Sequence, residues 1–222
     1  RSGWLTTGPL AAQFENQLAS LVQAKHAVAL SSCTAALHLA LLRAGVGSGD
    51  EVIMSPLTWP STANAIIHLG ATPIFADVDR QSLNITAESV ARVLTPRTKA
   101  IMPVHLAGLP CELAPLRMLA EQHGLALVED AAHALGSYYN HEPVGSGASC
   151  VCFSFYPTKN ITTGDGGAIC TSNPEDAEWY RVAAYHGITH PVWSRHKQPK
   201  LIYRPPEVTF PGFKYRMNDL AA

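Results

Sequence analysis

Ala27-Val-Ala-Leu-Ser-Ser-Cys-Thr34-Ala-Ala-Leu-His-Leu-Ala-Leu-Leu-Arg-Ala44 passes from an aliphatic run into a helical pattern through small polar residues. Ala27–Ser32 reads as a strand and Thr34–Ala44 as a helix with Leu37, Leu41 and Ala44 on one face. The first turn of such a helix presents N–H groups without an intrahelical partner and the positive end of the dipole, which suits a phosphate. Ser and Thr are equally ordinary N-caps, so both readings stay open for this segment alone.

Outward from it the same rhythm repeats. Glu51–Pro56, Thr72–Val78, Lys99–His105 and Leu125–Asp130 read as further strands, bounded by Gly, Pro or Ser. Pro60–Leu69, with Pro as a first helical residue, and Glu112–His123, stopped by Gly124, read as helices. Strands alternating with helices predict an α/β fold on a parallel sheet. After Asp130 the rhythm changes. Ser149–Phe155 and Gly167–Ser172 read as strands joined by a loop of Pro, Thr, Asn and Gly, which predicts a mixed sheet, and His190–Gly212 reads as an exposed loop.

With 222 residues, 47 % of them apolar, the chain can bury a substantial core in one large domain or two small ones. Lys and Arg total 16 against 17 Asp and Glu, so no charge excess points to nucleic acid or an anionic membrane. No apolar run approaches the about 20 residues needed to span a bilayer, and Arg1-Ser-Gly-Trp4 does not open like a signal peptide, so a cytoplasmic location is expected. The five cysteines are spread without a Cys-x-x-Cys pair, and no His-Glu-x-x-His pattern occurs. Neither a disulfide framework nor a metal is expected.

In open α/β sheets, ligands bind beyond the carboxyl ends of the strands. Four stretches stand there. In Val128-Glu-Asp130-Ala-Ala-His133 an aspartate closes an apolar strand, either as a helix N-cap or as a carboxylate that keeps a pyridine nitrogen protonated. In Phe153-Ser-Phe-Tyr-Pro-Thr-Lys159-Asn-Ile-Thr-Thr-Gly164-Asp-Gly-Gly167 a lysine follows an aromatic strand and precedes glycines. A lone Lys in a turn is usually a solvated charge, but desolvation beside a ligand would lower its pKa as Schiff-base chemistry requires. Those glycines either make a tight turn or let backbone approach a ligand. Trp59, in Ser55-Pro-Leu-Thr-Trp-Pro-Ser61, is either a core residue or an aromatic face for a planar ligand. The fourth stretch is Ser31–Thr34.

In this order, each at a strand end, these stretches resemble the DegT/DnrJ/StrS family of sugar aminotransferases within the aspartate-aminotransferase fold. The resemblance extends to Gly3-Trp-Leu-Thr-Thr-Gly-Pro9 and Gly212-Phe-Lys-Tyr-Arg-Met-Asn-Asp-Leu-Ala-Ala222. It implies a PLP-binding large domain over 1–222, a mostly parallel sheet in an α/β/α sandwich. Relatives continue into a long helix and a smaller C-terminal domain, so it also implies a fragment. The implied cofactor is pyridoxal 5'-phosphate, with Lys159 as the Schiff-base lysine and general acid/base and Asp130 as the partner of the pyridinium nitrogen. His133, where many relatives have Gln, would lie near the cofactor's phenolic oxygen. Trp59 would stack on the ring, while Cys33, Thr34 and Ser154 would hold the phosphate. Relatives commonly have Gly at the position of Cys33, which implies a backbone N–H contact there.

The implied reaction moves an amino group from an amino acid, glutamate, to a nucleotide-linked keto sugar. Two rivals are a sugar dehydratase on the same scaffold and a PLP-binding regulatory protein without turnover. Dehydratase relatives replace the lysine with His, and Lys159 is retained here. A homodimer with shared active sites is implied, with Lys214 and Arg216 as candidates for crossing contacts.

Overall fold

The computed structural model describes residues 4–148, 150–189 and 206–222. In chain order the elements are α1 (Pro9–Leu21), β1 (His26–Leu30), α2 (Cys33–Arg43), β2 (Glu51–Met54), α3 (Pro60–Ile67), β3 (Thr72–Phe75), α4 (Ala87–Ala91), β4 (Thr98–Met102), α5 (Leu113–His123), β5 (Ala126–Leu127), β6 (Glu129–Asp130), β7 (Tyr138–Tyr139), β8 (Glu142–Pro143), β9 (Val151–Ser154), β10 (Gly167–Thr171) and α6 (Pro174–Ala183).

One sheet is ordered β3-β2-β4-β5 and is wholly parallel, and another is ordered β1-β10-β9-β6. They meet at the stretch expected as a single strand, Leu125–Asp130, which forms two short strands on either side of Val128. Its amides alternate between neighbours: those of Val128 and Asp130 donate to Ile101 and Pro103, those of Glu129 and Ala131 to Cys150 and Cys152. The strands therefore form one continuous surface. β10 runs antiparallel to both β1 and β9, while β6 and β9 are parallel, so the sheet is mixed on this side as expected.

Side chains along each strand alternate between two cores, as the pleat demands. Val28, Leu30, Val52, Met54, Ala100, Met102, Cys152 and Ile169 point to the face covered by α2, α3 and α6. Ala27, Ala29, Val151, Phe153 and Cys170 face the opposite side, against α1, and Ile53 and Ile101 face the same side, against α4 and α5. This is the three-layer sandwich. All five cysteines are buried free thiols.

Several boundaries move. The expected helix Thr34–Ala44 begins at Cys33 and is buried on nearly all sides rather than along one face, because it lies under α3 and α6 as well as on the sheet. Val104 keeps only a bridge to Asp130 beyond the end of β4, and Val78 only a bridge to Ile85 beyond β3. Gly124 ends α5 in the left-handed region at φ 64°. Helices α1, α4 and α6 are additional to the sequence expectation. Gly8 caps α1 without a side chain, and Asp219 supplies the carboxylate instead, accepting from the amides of Gly8, Leu10 and Ala11. Of the expected loop His190–Gly212, residues 190–205 lie outside the described residues, as does Ser149 of the expected strand Ser149–Phe155. Among the described residues no helix is long and apolar enough to cross a membrane.

Candidate active site

Beyond the carboxyl ends of the parallel strands lies a cleft of about 1000 Å³, lined by Cys33, Thr34, Trp59, Asp130, His133, Ser154 and Lys159 among others. Each side chain expected from the sequence to touch a ligand is thus in one place, although they span more than half the chain.

The start of α2 forms one end. Ser32 is its N-cap and accepts from the Ala35 amide at 3.1 Å. The N–H groups of Cys33 and Thr34, the first two helical positions, remain available, as helix geometry requires. Burial, reinforced by the charge of Asp130, pushes the Cys33 thiol well above its ordinary range despite the opposing influence of Lys159. The thiol therefore stays protonated, and the useful group at this position is the amide.

Gly167 explains how the lysine loop reaches this helix. A Cβ there would lie 2.3 Å from the backbone N of Cys33 and 2.5 Å from the Ser32 carbonyl oxygen. The close approach is to the chain's own backbone rather than to a ligand. Gly164, at φ 82°, is the turn residue. Within the loop the Phe155 carbonyl accepts from the Thr162 hydroxyl and the Thr163 amide, and the Asn160 side chain donates to the Leu135 carbonyl at 2.7 Å. The loop after β9 is thereby tied to the loop after β6. Lys159 is half-buried between them, and desolvation lowers its pKa against the opposing pull of Cys33 and Asp130.

Asp130 is 4 % exposed. Its Oδ2 accepts from the Thr62 hydroxyl at 2.8 Å and its Oδ1 from the Ala132 amide at 3.2 Å. The amide contact opens a turn and not a helix, so the N-cap reading does not hold. Burial raises the pKa of this carboxyl, with Thr62, the Ala132 amide, His105 and His133 opposing. His133 is exposed on the rim, and burial followed by the charge of Lys159 lowers its pKa, favouring neutral imidazole. Trp59 is 78 % exposed at the mouth, which excludes the core-packing alternative.

Sequence reading did not single out Thr62, Tyr156 or His105. Thr62 lies in the first turn of α3 and is fully buried against Asp130, with its hydroxyl also 2.8 Å from that of Thr58. His105 lines the cleft with both nitrogens engaged: Nδ1 accepts from the Cys111 amide at 3.1 Å, leaving Nε2 to donate to Glu129 at 3.1 Å. Its place after β4, at a strand end, was the available signal. Among the described residues, no group of three or more His, Cys, Asp or Glu could share a metal ion.

Asp130, held by a hydroxyl and an amide and in no ion pair among the described residues, can face a protonated ring nitrogen, and the start of α2 can face a phosphate. The residues present therefore fit pyridoxal phosphate, and the fold is the one seen in PLP-dependent aminotransferases. The model of the DegT/DnrJ/EryC1/StrS aminotransferase family matches residues 1–222, and the chain belongs to that family. It is 49 % identical over 221 residues to the spore coat polysaccharide biosynthesis protein SpsC of Bacillus subtilis (strain 168), covering 100 % of this chain and 56 % of that protein. Among solved structures it is similar to S. venezuelae DesV in complex with a ketimine intermediate, at TM-score 0.89 and 37 % identity over 99 % of this chain and 56 % of that one. It is also similar to the putative sugar aminotransferase Spr1654 of Streptococcus pneumoniae in its PMP form, at TM-score 0.90 and 33 % identity over 100 % of this chain and 60 % of that one. The chain thus spans a little over half the length of the relatives it matches.

Proposed function

We propose that this chain carries the cofactor-binding part of an aminotransferase that moves an amino group from glutamate to a nucleotide-linked keto sugar in the cytoplasm, with Lys159 holding pyridoxal 5'-phosphate. One observation carries the reading. A lysine with lowered pKa and a buried carboxylate held by a hydroxyl and an amide share a cleft with the start of α2. When bound, the cofactor supplies an electron sink for the charge left as a proton leaves carbon.

The chain's residues do the rest. The Cys33 and Thr34 amides and the Ser154 hydroxyl bind the phosphate at the dipole's positive end. Asp130 holds the proton on the ring nitrogen, since a negative charge within a few ångströms favours the protonated base. Trp59 covers a ring face, and His133 lies by the phenolic oxygen. Lys159 Nζ, its neutral form favoured by desolvation, takes the proton from the donor's Cα and returns one when the keto sugar accepts nitrogen.

A second copy of the chain completes each site, with Lys214 and Arg216 as the crossing cations. Arg216 is already engaged with the Thr6 hydroxyl at 2.8 Å and lies over the Tyr185 ring, whereas the Lys214 side chain is exposed, so Lys214 is the freer of the two. A fully active monomer in light scattering would remove this part of the reading.

The test is conversion of glutamate to 2-oxoglutarate by the intact protein, followed by mass spectrometry of nucleotide keto sugars offered as acceptors. Lys159→Ala should lose borohydride fixation of the cofactor and lower turnover by at least about 10²–10⁴. Near-normal turnover in that variant rules out the assignment.

A further inference from the structure

Four of the loops around the cleft are joined in series, each by a side chain that bonds to the backbone of the next. Asn84, 2 % exposed in the loop between β3 and α4, donates to the Leu109 carbonyl at 2.9 Å and accepts from the Leu106 amide at 3.2 Å. The loop it holds follows β4. That loop in turn lies on the one after β6, where the Ser137 hydroxyl donates to the Gly108 carbonyl at 2.6 Å. The seat is tight, since a Cβ on Gly108, at φ 87°, would stand 2.9 Å from the His133 carbonyl oxygen. From the same loop the Leu135 carbonyl accepts from the Asn160 side chain at 2.7 Å, and the series ends beside Lys159.

Such a bond can serve only to satisfy a buried carbonyl, and Leu135 is 9 % exposed. The placement of the Asn160 bond argues for more. The loop it reaches opens at Asp130, so the bond sets the lysine segment against the carboxylate across the cleft. The amide of Lys159 itself donates to the Tyr156 carbonyl at 2.9 Å. With the backbone pinned on one side of the lysine within its own loop and on the other side to the neighbouring loop, only the side chain is left to turn. Proton transfer is sensitive to this placement. Reacting atoms must come to about 3–3.5 Å, and a misplacement of about 1 Å can cost about 10²-fold in rate. Loops are ordinarily the more mobile part of a scaffold, so a reacting lysine on one requires neighbours that hold it.

We propose that Asn160 is a positioning residue that fixes Lys159 against Asp130, braced through Ser137 by the loop after β4. The proposal rests on the reading of Lys159 as the lysine that holds the cofactor. It is tested on the intact protein as wild type, Asn160→Ala and Ser137→Ala. Asn160 is exposed, so its truncation leaves the core in place. With pyridoxal phosphate bound, Asn160→Ala should lower the maximal single-turnover rate with glutamate by about 10–10²-fold and leave half-saturation within about twofold, because the groups that bind the donor are untouched. Ser137→Ala should lower the same rate about threefold, the scale of one hydrogen bond. In cofactor-free protein, the pH dependence of Lys159 labelling by an amine-reactive reagent, followed by peptide mass spectrometry, reads the amine directly. Desolvation lowers the pKa of Lys159 among the titratable groups Cys33, Asp130 and His133, so freeing the segment lets water reach the amine and moves the labelling curve of Asn160→Ala to higher pH. A wild-type rate, a fall matched by an equal rise in half-saturation, or a labelling curve that does not move overturns the positioning role. An unaffected Ser137→Ala overturns the brace. Borohydride fixing the wild-type cofactor to a residue other than Lys159 instead overturns the reading beneath, a result distinct from fixation at Lys159 with an undiminished rate in Asn160→Ala.

Discussion

Glu129 and Asp130 are consecutive carboxylates on one strand, 2 % and 4 % exposed, and the fold surrounds them differently. The pleat sends them to opposite sides. Glu129 meets the His105 Nε2–H at 3.1 Å and the Arg117 guanidinium at 3.3 Å. Asp130 meets a hydroxyl, an amide and an open cleft, with no ion pair among the described residues. A buried carboxylate whose charge is answered within the chain is part of the scaffold. One left with neutral hydrogen-bond donors at a cavity is poised for a cationic ligand.

The largest effect expected from breaking this contrast is on turnover. Asp130→Asn removes the charge but keeps the shape, and transamination should fall by about 10²–10⁴, the range of a lost positioned electrostatic or acid–base group. Folding should respond in the opposite sense. Burial raises the folded pKa of Asp130, so its contribution to stability is fully present below the unfolded value of about 3.9 and is lost as pH rises through the folded value. In urea titrations of cofactor-free protein, Asp130→Asn should therefore match the wild type in acid and become the more stable form as pH rises through the folded value. A variant weaker than the wild type at neutral pH would show that Asp130 is scaffold after all.

Glu129→Ala should do the reverse. Removing this carboxylate leaves the buried His105 N–H without its acceptor and takes the charge from beside the more exposed Arg117, at a cost of about 3 kcal/mol in urea unfolding, the upper end of the range for stranding a buried polar group. The fraction that remains folded should keep the absorbance of lysine-bound cofactor. Selective loss of cofactor without loss of stability would move Glu129 into the site. The smallest effect belongs to Thr62→Val, which deletes a buried hydrogen bond to the carboxylate. It should weaken cofactor retention by about 1.5–3 kcal/mol in equilibrium dialysis, since Asp130 is then less well oriented. Unaltered retention would make Thr62 a packing residue only.

Lys159, Asp130 and Thr34 could be placed at the cleft from strand-end position and local residue type, whereas Ser154 came only with the family resemblance. Thr62 and His105 could not be placed there, since each acquires its meaning from a residue on a different strand that the sheet brings beside it. The same holds for elements. Gly124 announces the end of α5 in place, but α1 starts under a carboxylate 211 residues downstream of Gly8 and offers no local cap. Helix α6 did carry readable signals, with Asn173 as N-cap, Pro174 next, and Glu175 and Asp176 in the first turn. The antiparallel insertion of β10 depends on pairing with both β1 and β9, which no single stretch encodes. The glycines after Lys159 were read either as a tight turn or as room for a ligand; Gly164 makes the turn, and Gly167 makes room for another part of the chain.

That contact also sets an order of events during folding. The parallel strands β2, β3 and β4 come from successive short units, and their pairings can form while the chain is being made. The start of α2 meets the lysine loop only once β10 has paired with β1, and the register His26↔Thr171 requires the whole stretch between to be synthesised and closed as a loop. Such long-range closures are slow, because chain entropy is lost before the contacts repay it. A newborn chain therefore has most of its sheet before it has a place for its cofactor, and pyridoxal phosphate, binding only the closed form, should act as a late clamp that draws the last pairing to completion.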